Sequence, residues 1–174
     1  MASSEDTKDT TAEVALGEPV SLKADGIIKN HVMGTMAAAT VPVPAFDVAA
    51  ISVIQMRMIQ KLAELHGQQF SDAIAKNVLT SLVSSVLGYS AGIVAVSSVV
   101  KVLPGVGTLA GMATLTSVAG ATTYAVGQVL NRHFEDGGGL DDLSVDDVAN
   151  YGRQQFKRGK NIARNMAKSG KEPA

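Results

Sequence analysis

Apolar positions along the chain recur at helical spacing. Between about Leu22 and Ala39, Ile27, Ile28, Val32 and Met36 mark one face of a first helix. The run Val41 to Pro44 then forces an extended turn, because each proline fixes its own φ and pushes its predecessor out of the helical region. A second helix follows over roughly Asp47 to Leu65, with Asp47 placed to cap it. There Arg57, Gln60, Lys61 and Glu64 fall at i, i+3, i+4 and i+7 and form one wet stripe. Val48, Ile51, Ile54, Met58 and Leu62 form a broad apolar face, and Gly67 is the expected stop.

A third helix is expected to start at Ser71, a good N-cap residue. Its period is written without charges: Val78/Leu79, Leu82/Val83 and Val86/Leu87 on one side, Thr80/Ser81 and Ser84/Ser85 on the other. Gly88 interrupts this pattern, and an apolar run continues from Ile93 to Val100. Lys101, Pro104 and Gly105 read as the turn of a helical hairpin whose second arm runs from Val106 to Leu130. Gly137-Gly138-Gly139 breaks the chain, and Ser144 with Asp147 three residues on starts a last helix with an acidic first turn. The fold class predicted is all-α: a helical bundle with a central uncharged helical hairpin and a C-terminal amphipathic helix.

Charge sharpens this outline. From Asn77 to Asn131 the only charged residue is Lys101; Glu135 to Asp147 holds six acids and no base; Arg153 to Lys171 holds seven bases and no acid. The arms Val78–Val100 and Val106–Leu130 would be about 34 Å and about 37 Å long as helices, against a hydrocarbon core of about 30 Å. A spanning hairpin would leave Arg57, Lys61, Lys76, Arg132 and the C-terminal bases on one side and Lys101 on the other, which places both termini in the cytoplasm. Against spanning, the first arm carries seven Ser or Thr, and the second carries six plus Gln128. Gly88, Gly92, Gly107 and Gly111, in two small-xxx-small pairs, permit close helix crossing in lipid or in protein. Two burying media therefore satisfy the pattern: a bilayer, or a compact helical domain or homo-oligomer.

In the last helix Arg153, Lys157, Lys160, Arg164 and Lys168 fall within about 80° of arc. Val148, Tyr151, Ile162 and Met166 lie opposite, with Phe156 and Ala163 on one flank. A basic stripe opposed to an apolar one suits an anionic membrane surface or an acidic partner. The same pattern also describes a solvated helix docked by its apolar face on the bundle. Gly152 and Gly159 each weaken the helix by about 1 kcal/mol relative to Ala, which suits a segment that orders on binding.

Composition limits the chemistry. The 174 residues suit one domain, 46% are hydrophobic, only 4% are aromatic, and small residues carry the apolar segments. A net charge of −1 selects no nucleic acid, and the absence of Cys excludes disulfides and thiolate metal sites. The acidic N-terminus has no basic region leading into an apolar one, so no cleaved secretory signal is expected. The three histidines, His31, His66 and His133, have no i, i+4 pair, so no metal site is expected. Gly105-Val-Gly107-x-x-x-Gly111 has the wrong spacing for a dinucleotide fingerprint and follows Pro104, not a strand. No serine sits in a nucleophile motif, and neither catalytic residues nor cofactors are predicted.

The segments IIKNHVMGTMAAATVPVPAFDVAAISVIQMRMIQKLAELHG, LPGVGTLAG and TTYAVGQVLNRHFEDGG carry a resemblance. Pro44-x-x-Asp47, Leu103-Pro-Gly-x-Gly107, Tyr124-x-x-Gly127 and His133-Phe134 mark it most sharply. In these the chain resembles the GTPase-associated, YcjF-like bacterial domain family of unknown function, over about Ile27 to Asp147. The resemblance implies a bacterial, membrane-associated protein with no assigned activity; some members are fused to a small GTPase. This chain has no GTPase motif, so any GTPase partner acts in trans. The organisation expected is an acidic tail (1–20), a helical domain (21–135, with the hairpin at 78–130), a Gly/Asp-rich linker (136–143) and a basic amphipathic helix with its tail (144–174). The function expected is that of a non-enzymatic scaffold at the bacterial cytoplasmic membrane, self-associating and touching anionic lipid. The alternative is a soluble homo-oligomeric assembly or adaptor.

Overall fold

The computed structural model describes residues 18–40, 46–88 and 107–169, with side chains given from Ala49 in the second stretch and from Leu115 in the third. Among these the chain forms α1 (Val20–Ala38), α2 (Phe46–Leu65), α3 (Asp72–Gly88), α4 (Gly107–Glu135) and α5 (Val145–Ser169), with no strand. The all-α bundle read from the periodicity is the observed architecture.

Local chemistry sets the helix ends. The Pro19 carbonyl accepts the first bonds of α1, from the N–H of Leu22 (2.9 Å) and Lys23 (3.2 Å). Proline loses nothing at such a position, where no intrahelical donor is needed. α2 begins at Phe46, one residue before Asp47. It ends at Gly67, whose φ of +67° suits glycine. There Gln68 N donates to Ala63 O (2.8 Å) and Gly67 N to Glu64 O (3.2 Å), closing the last carbonyls. α3 starts after Ser71, whose carbonyl accepts from Ala75 N (2.8 Å).

α4 is the axis of the bundle, and the other four helices pack around it. Residues Val118 to Gly127 are buried without a break, followed by Val129, Leu130 and Asn131. α1 lays Ala24, Ile28, Val32, Thr35 and Met36 into this centre. α2 contributes Met58, Ile59 and Leu62, and α3 contributes Ala75, Val78, Leu79, Leu82 and Val86. Ile28, Met58, Ile59, Leu62, Leu82 and Leu130 are fully buried, each worth about 1.5–3 kcal/mol relative to exposure. The wet stripe Arg57, Gln60, Lys61 and Glu64 faces solvent, as does the Thr80/Ser81/Ser84 side of α3.

Thr122, Thr123 and Gln55, polar side chains buried inside the bundle, are bonded. Thr122 and Thr123 donate back to Val118 O (2.8 Å) and Ala119 O (2.9 Å). The buried Gln55 of α2 donates to Thr123 Oγ1 across the helix interface (3.0 Å).

The spanning-hairpin expectation is corrected for the part of it that is described. No helix among the described residues is long and apolar enough to cross a membrane. The stretch Val118–Leu130 lacks charge because four helices of the same chain enclose it. A lipid-facing helix would leave its apolar side chains uncovered when the chain is taken alone, and here they are covered. The hairpin turn at Lys101, Pro104 and Gly105, and Gly92, lie outside the described residues.

Candidate functional site

The five bases singled out on the last helix share one stripe of α5 but not one exposure. Lys157, Arg164 and Lys168 are exposed, while Arg153 and Lys160 are half-buried. Arg153 Nη1 donates to Asn150 Oδ1 (3.1 Å). Asp146 and Asp147 occupy the first turn and Lys168 the last, both favourable to the helix dipole. Arg158 is exposed on the flank, outside the stripe.

The seating of α5 uses the flank that holds Phe156 and Ala163, not the side directly across from the bases. Gly152, Phe156, Gly159 and Ala163 form the buried line of α5, and Gln155 is buried beside it. A Cβ placed on Gly159 would lie 2.9 Å from both Cα and O of Ala121, backbone atoms of α4. One on Gly152 would lie 3.2 Å from Val86 Cγ2. The two glycines are therefore the points of closest approach between α5 and its neighbours, not marks of a helix awaiting a partner. The line Gly152, Phe156, Gly159 and Ala163 is spent on the bundle, whereas Val148, Tyr151, Ile162 and Met166, the apolar residues across from the bases, are half-buried. Lys157, Arg164 and Lys168 are the exposed members of the base stripe.

Of the crossings foreseen at Gly88, Gly92, Gly107 and Gly111, only Gly88 has described surroundings. Gly88 ends α3, is exposed, and has no neighbour within 4 Å of a built Cβ. Gly107 and Gly111 lie in α4, in the stretch without described side chains. Among the described residues the close crossings are at Gly120, against Met36 and Ala163, and at Gly127, against Ile28 and Met58, together with Gly152 and Gly159. Each pair is seven residues apart. That spacing was the available signal, since seven residues return to nearly the same side of a helix.

The end of α4 is a second polar locus. Gly138 N donates to His133 O and Gly137 N to Phe134 O, both at 3.0 Å, with Gly137 at φ +88°. His133 Nε2 lies 2.8 Å from Gly139 O and 2.8 Å from Asp142 Oδ1, which also accepts from Gly139 N at 2.8 Å. The hydrogen bond from His133, then that from Gly139, holds the Asp142 carboxyl below the usual carboxylate range. Leu140 is buried in the core, so the glycine-rich segment is pinned. Arg132 lies over the Tyr151 ring at 4.8 Å, joining α4 to α5.

The other histidines are engaged separately. His66 Nε2 meets Asn131 Oδ1 (2.9 Å), and His31 Nδ1 meets Ile27 O (2.7 Å). Among the described residues no group of three or more His, Asp or Glu is placed to hold a metal ion.

Comparison with known proteins follows the same outline. A curated relative, "Magnetosome membrane protein 22" of Magnetospirillum gryphiswaldense, is 46% identical over 153 residues, covering 88% of this chain and 78% of that protein. No solved structure matches the chain. The family model described as "Domain of unknown function (DUF697)" matches residues 4–161. The chain, whose motifs already resembled a bacterial family without an assigned activity, belongs to the DUF697 family.

Proposed function

We propose that the chain is a non-enzymatic, membrane-associated scaffolding protein that docks on the anionic cytoplasmic surface of a bacterial membrane through the outer face of α5. The observation that carries this reading is the seating of α5: the line Gly152, Phe156, Gly159 and Ala163 is buried on α4 and α3, and Lys157, Arg164 and Lys168 are exposed on another side of the helix. The relative's description as a membrane protein supports the setting. Each base near an anionic surface contributes about 1 kcal/mol, so Arg153, Lys157, Lys160, Arg164 and Lys168 together suffice for reversible attachment. Attachment of this kind is screened by salt, unlike insertion of an apolar helix. Self-association on the membrane, and a GTPase acting in trans, complete the reading.

The test is vesicle flotation of the full chain against the variant with all five bases changed to Gln. Wild type floats with anionic vesicles at low salt and is released as salt rises, while the variant stays behind. Equal flotation of the two would remove α5 from the role.

A soluble homo-oligomeric assembly is the second reading, favoured by the enclosure of α4 in protein and by the outward Thr80/Ser81/Ser84 side of α3. Sedimentation without detergent separates the two. A defined oligomer indifferent to anionic vesicles supports the assembly.

A further inference from the structure

α1 and α5 run side by side over α4 and in the same direction. Asp25 of α1 and Arg158 of α5 both act on the buried Tyr124, while further along both helices Met36 and Ala163 meet over Gly120. Both helices pack chiefly on α4 and only lightly on each other. A cleft is left between them, with a volume of about 680 Å³. Among the described residues its banks are Met33 and Met36 from α1, and Ile162, Asn165, Met166 and Ser169 from α5. That size falls within the range of small-molecule sites, about 300–1,000 Å³.

The banks are unusual for a surface exposed to water. Among the described residues the large exposed apolar side chains are Val20, Leu22, Met33, Val53 and Ile74, and three of these five belong to α1. Leu22 and Met33 share one stripe of α1 with Lys29, at spacings of seven and four residues, beside the bank residue Met36. Arg158 stands on the opposite helix, one turn before Ile162. One acid lies nearby, Asp25, and its carboxylate accepts from Gln128 Nε2 (3.1 Å). The cleft thus has cations toward one end and an apolar slot toward the other. Methionine lines it on both banks, a side chain that adapts to flexible apolar ligands.

We propose that this cleft takes an acyl chain of an anionic membrane lipid, with Lys29 and Arg158 flanking the headgroup and Met33, Met36, Ile162 and Met166 lining the chain. Charge complementarity selects this occupant: cations at the entrance suit a phosphate, and the apolar length beyond them suits a hydrocarbon tail. The inference rests on the membrane reading of α5 and deepens it. The bases of α5 bring the protein to the surface, and the cleft supplies the apolar contact that the buried side of α5 cannot make.

The experiment uses the full chain with methyl-labelled methionine and phosphatidylglycerol bicelles carrying a spin label deep on the acyl chain. The Met33 and Met166 methyls broaden strongly, while Met58, fully buried between α2 and α4, stays sharp. In parallel, Met33→Glu, at an exposed position that contributes little packing to the bundle, weakens binding to phosphatidylglycerol vesicles about tenfold. Met33 and Met166 methyls that stay sharp while the chain is bicelle-bound overturn the cleft and leave the α5 surface reading standing. Contacts from those methyls to residues 89–106 or to a second copy likewise overturn it, by naming a different occupant. Absence of any bicelle binding at low salt removes both.

Discussion

Replacing Gly159 by Ala tests whether α5 is seated as a permanent part of the bundle. The new methyl would lie 2.9 Å from Ala121 Cα and O and 3.1 Å from Tyr124 Cβ. Carbon atoms in contact prefer about 3.5–4.0 Å, so α5 must retreat by about 0.5–1 Å. The backbone of α4 cannot yield, because Val118 to Gly127 is packed on all sides. A retreat of that size forfeits about a quarter to a half of each contact's well depth along the line shared with Phe156 and Ala163. Overpacking of this kind costs about 2–3 kcal/mol, against about 1 kcal/mol gained in helix propensity. The net expectation is a loss of about 1–2 kcal/mol, read as a lower urea midpoint with an unchanged slope. Two controls bracket it. Gly152→Ala meets only side-chain methyls, the nearest at 3.2 Å, and stays within about 0.5 kcal/mol of wild type. Gly26→Ala meets nothing within 4 Å and gains up to about 1 kcal/mol. If Gly159→Ala proves as stable as Gly26→Ala, α5 is not seated on Ala121 through the line Gly152, Phe156, Gly159 and Ala163.

Three further outcomes are expected. Gly127→Ala places a methyl 2.8 Å from Ile28 Cγ1 and costs about 1–2 kcal/mol; with Ile28→Ala added, the double variant is less destabilised than the sum of the singles, as a double-mutant cycle by urea unfolding will register. Gln55→Leu and Thr123→Val couple by about 0.5–1.5 kcal/mol in the same kind of cycle, because each removes one end of a buried bond between α2 and α4; no coupling would contradict that pairing. The Asp142 carboxyl, held below its ordinary value of 3.8, stabilises the turn at pH above that value. The contribution is lost as pH falls through the lowered folded value. The Gly139 amide shift should report this transition on acid titration, and Asp142→Asn should abolish it.

The elements were legible in the sequence because each carries its own period. The wet stripe of α2, the chargeless two-sided pattern of α3 and the glycine stop at Gly67 are local signals, and all three appear where the spacing puts them. The surroundings of α4 were not legible, because an uncharged run is demanded equally by a bilayer and by the axis of a small bundle. The residue that decides between them is on another helix: Gln55 reaches Thr123 across 68 positions, and no spacing rule foretells that. The glycines went the same way. Small-xxx-small spacing points to Gly88/Gly92 and Gly107/Gly111, whereas among the described residues the close approaches fall at Gly120/Gly127 and Gly152/Gly159. Each depends on which helix lies opposite, a fact of tertiary structure. The same reasoning bears on how the protein meets a membrane. A wheel of α5 alone reads as an interfacial helix, with bases above and apolar residues below. Ala121 and Val86 occupy the line of Gly152 and Gly159, so the apolar residues left open on α5 are half-buried ones such as Ile162 and Met166, and among the described residues these face the cleft beside the exposed stripe of α1.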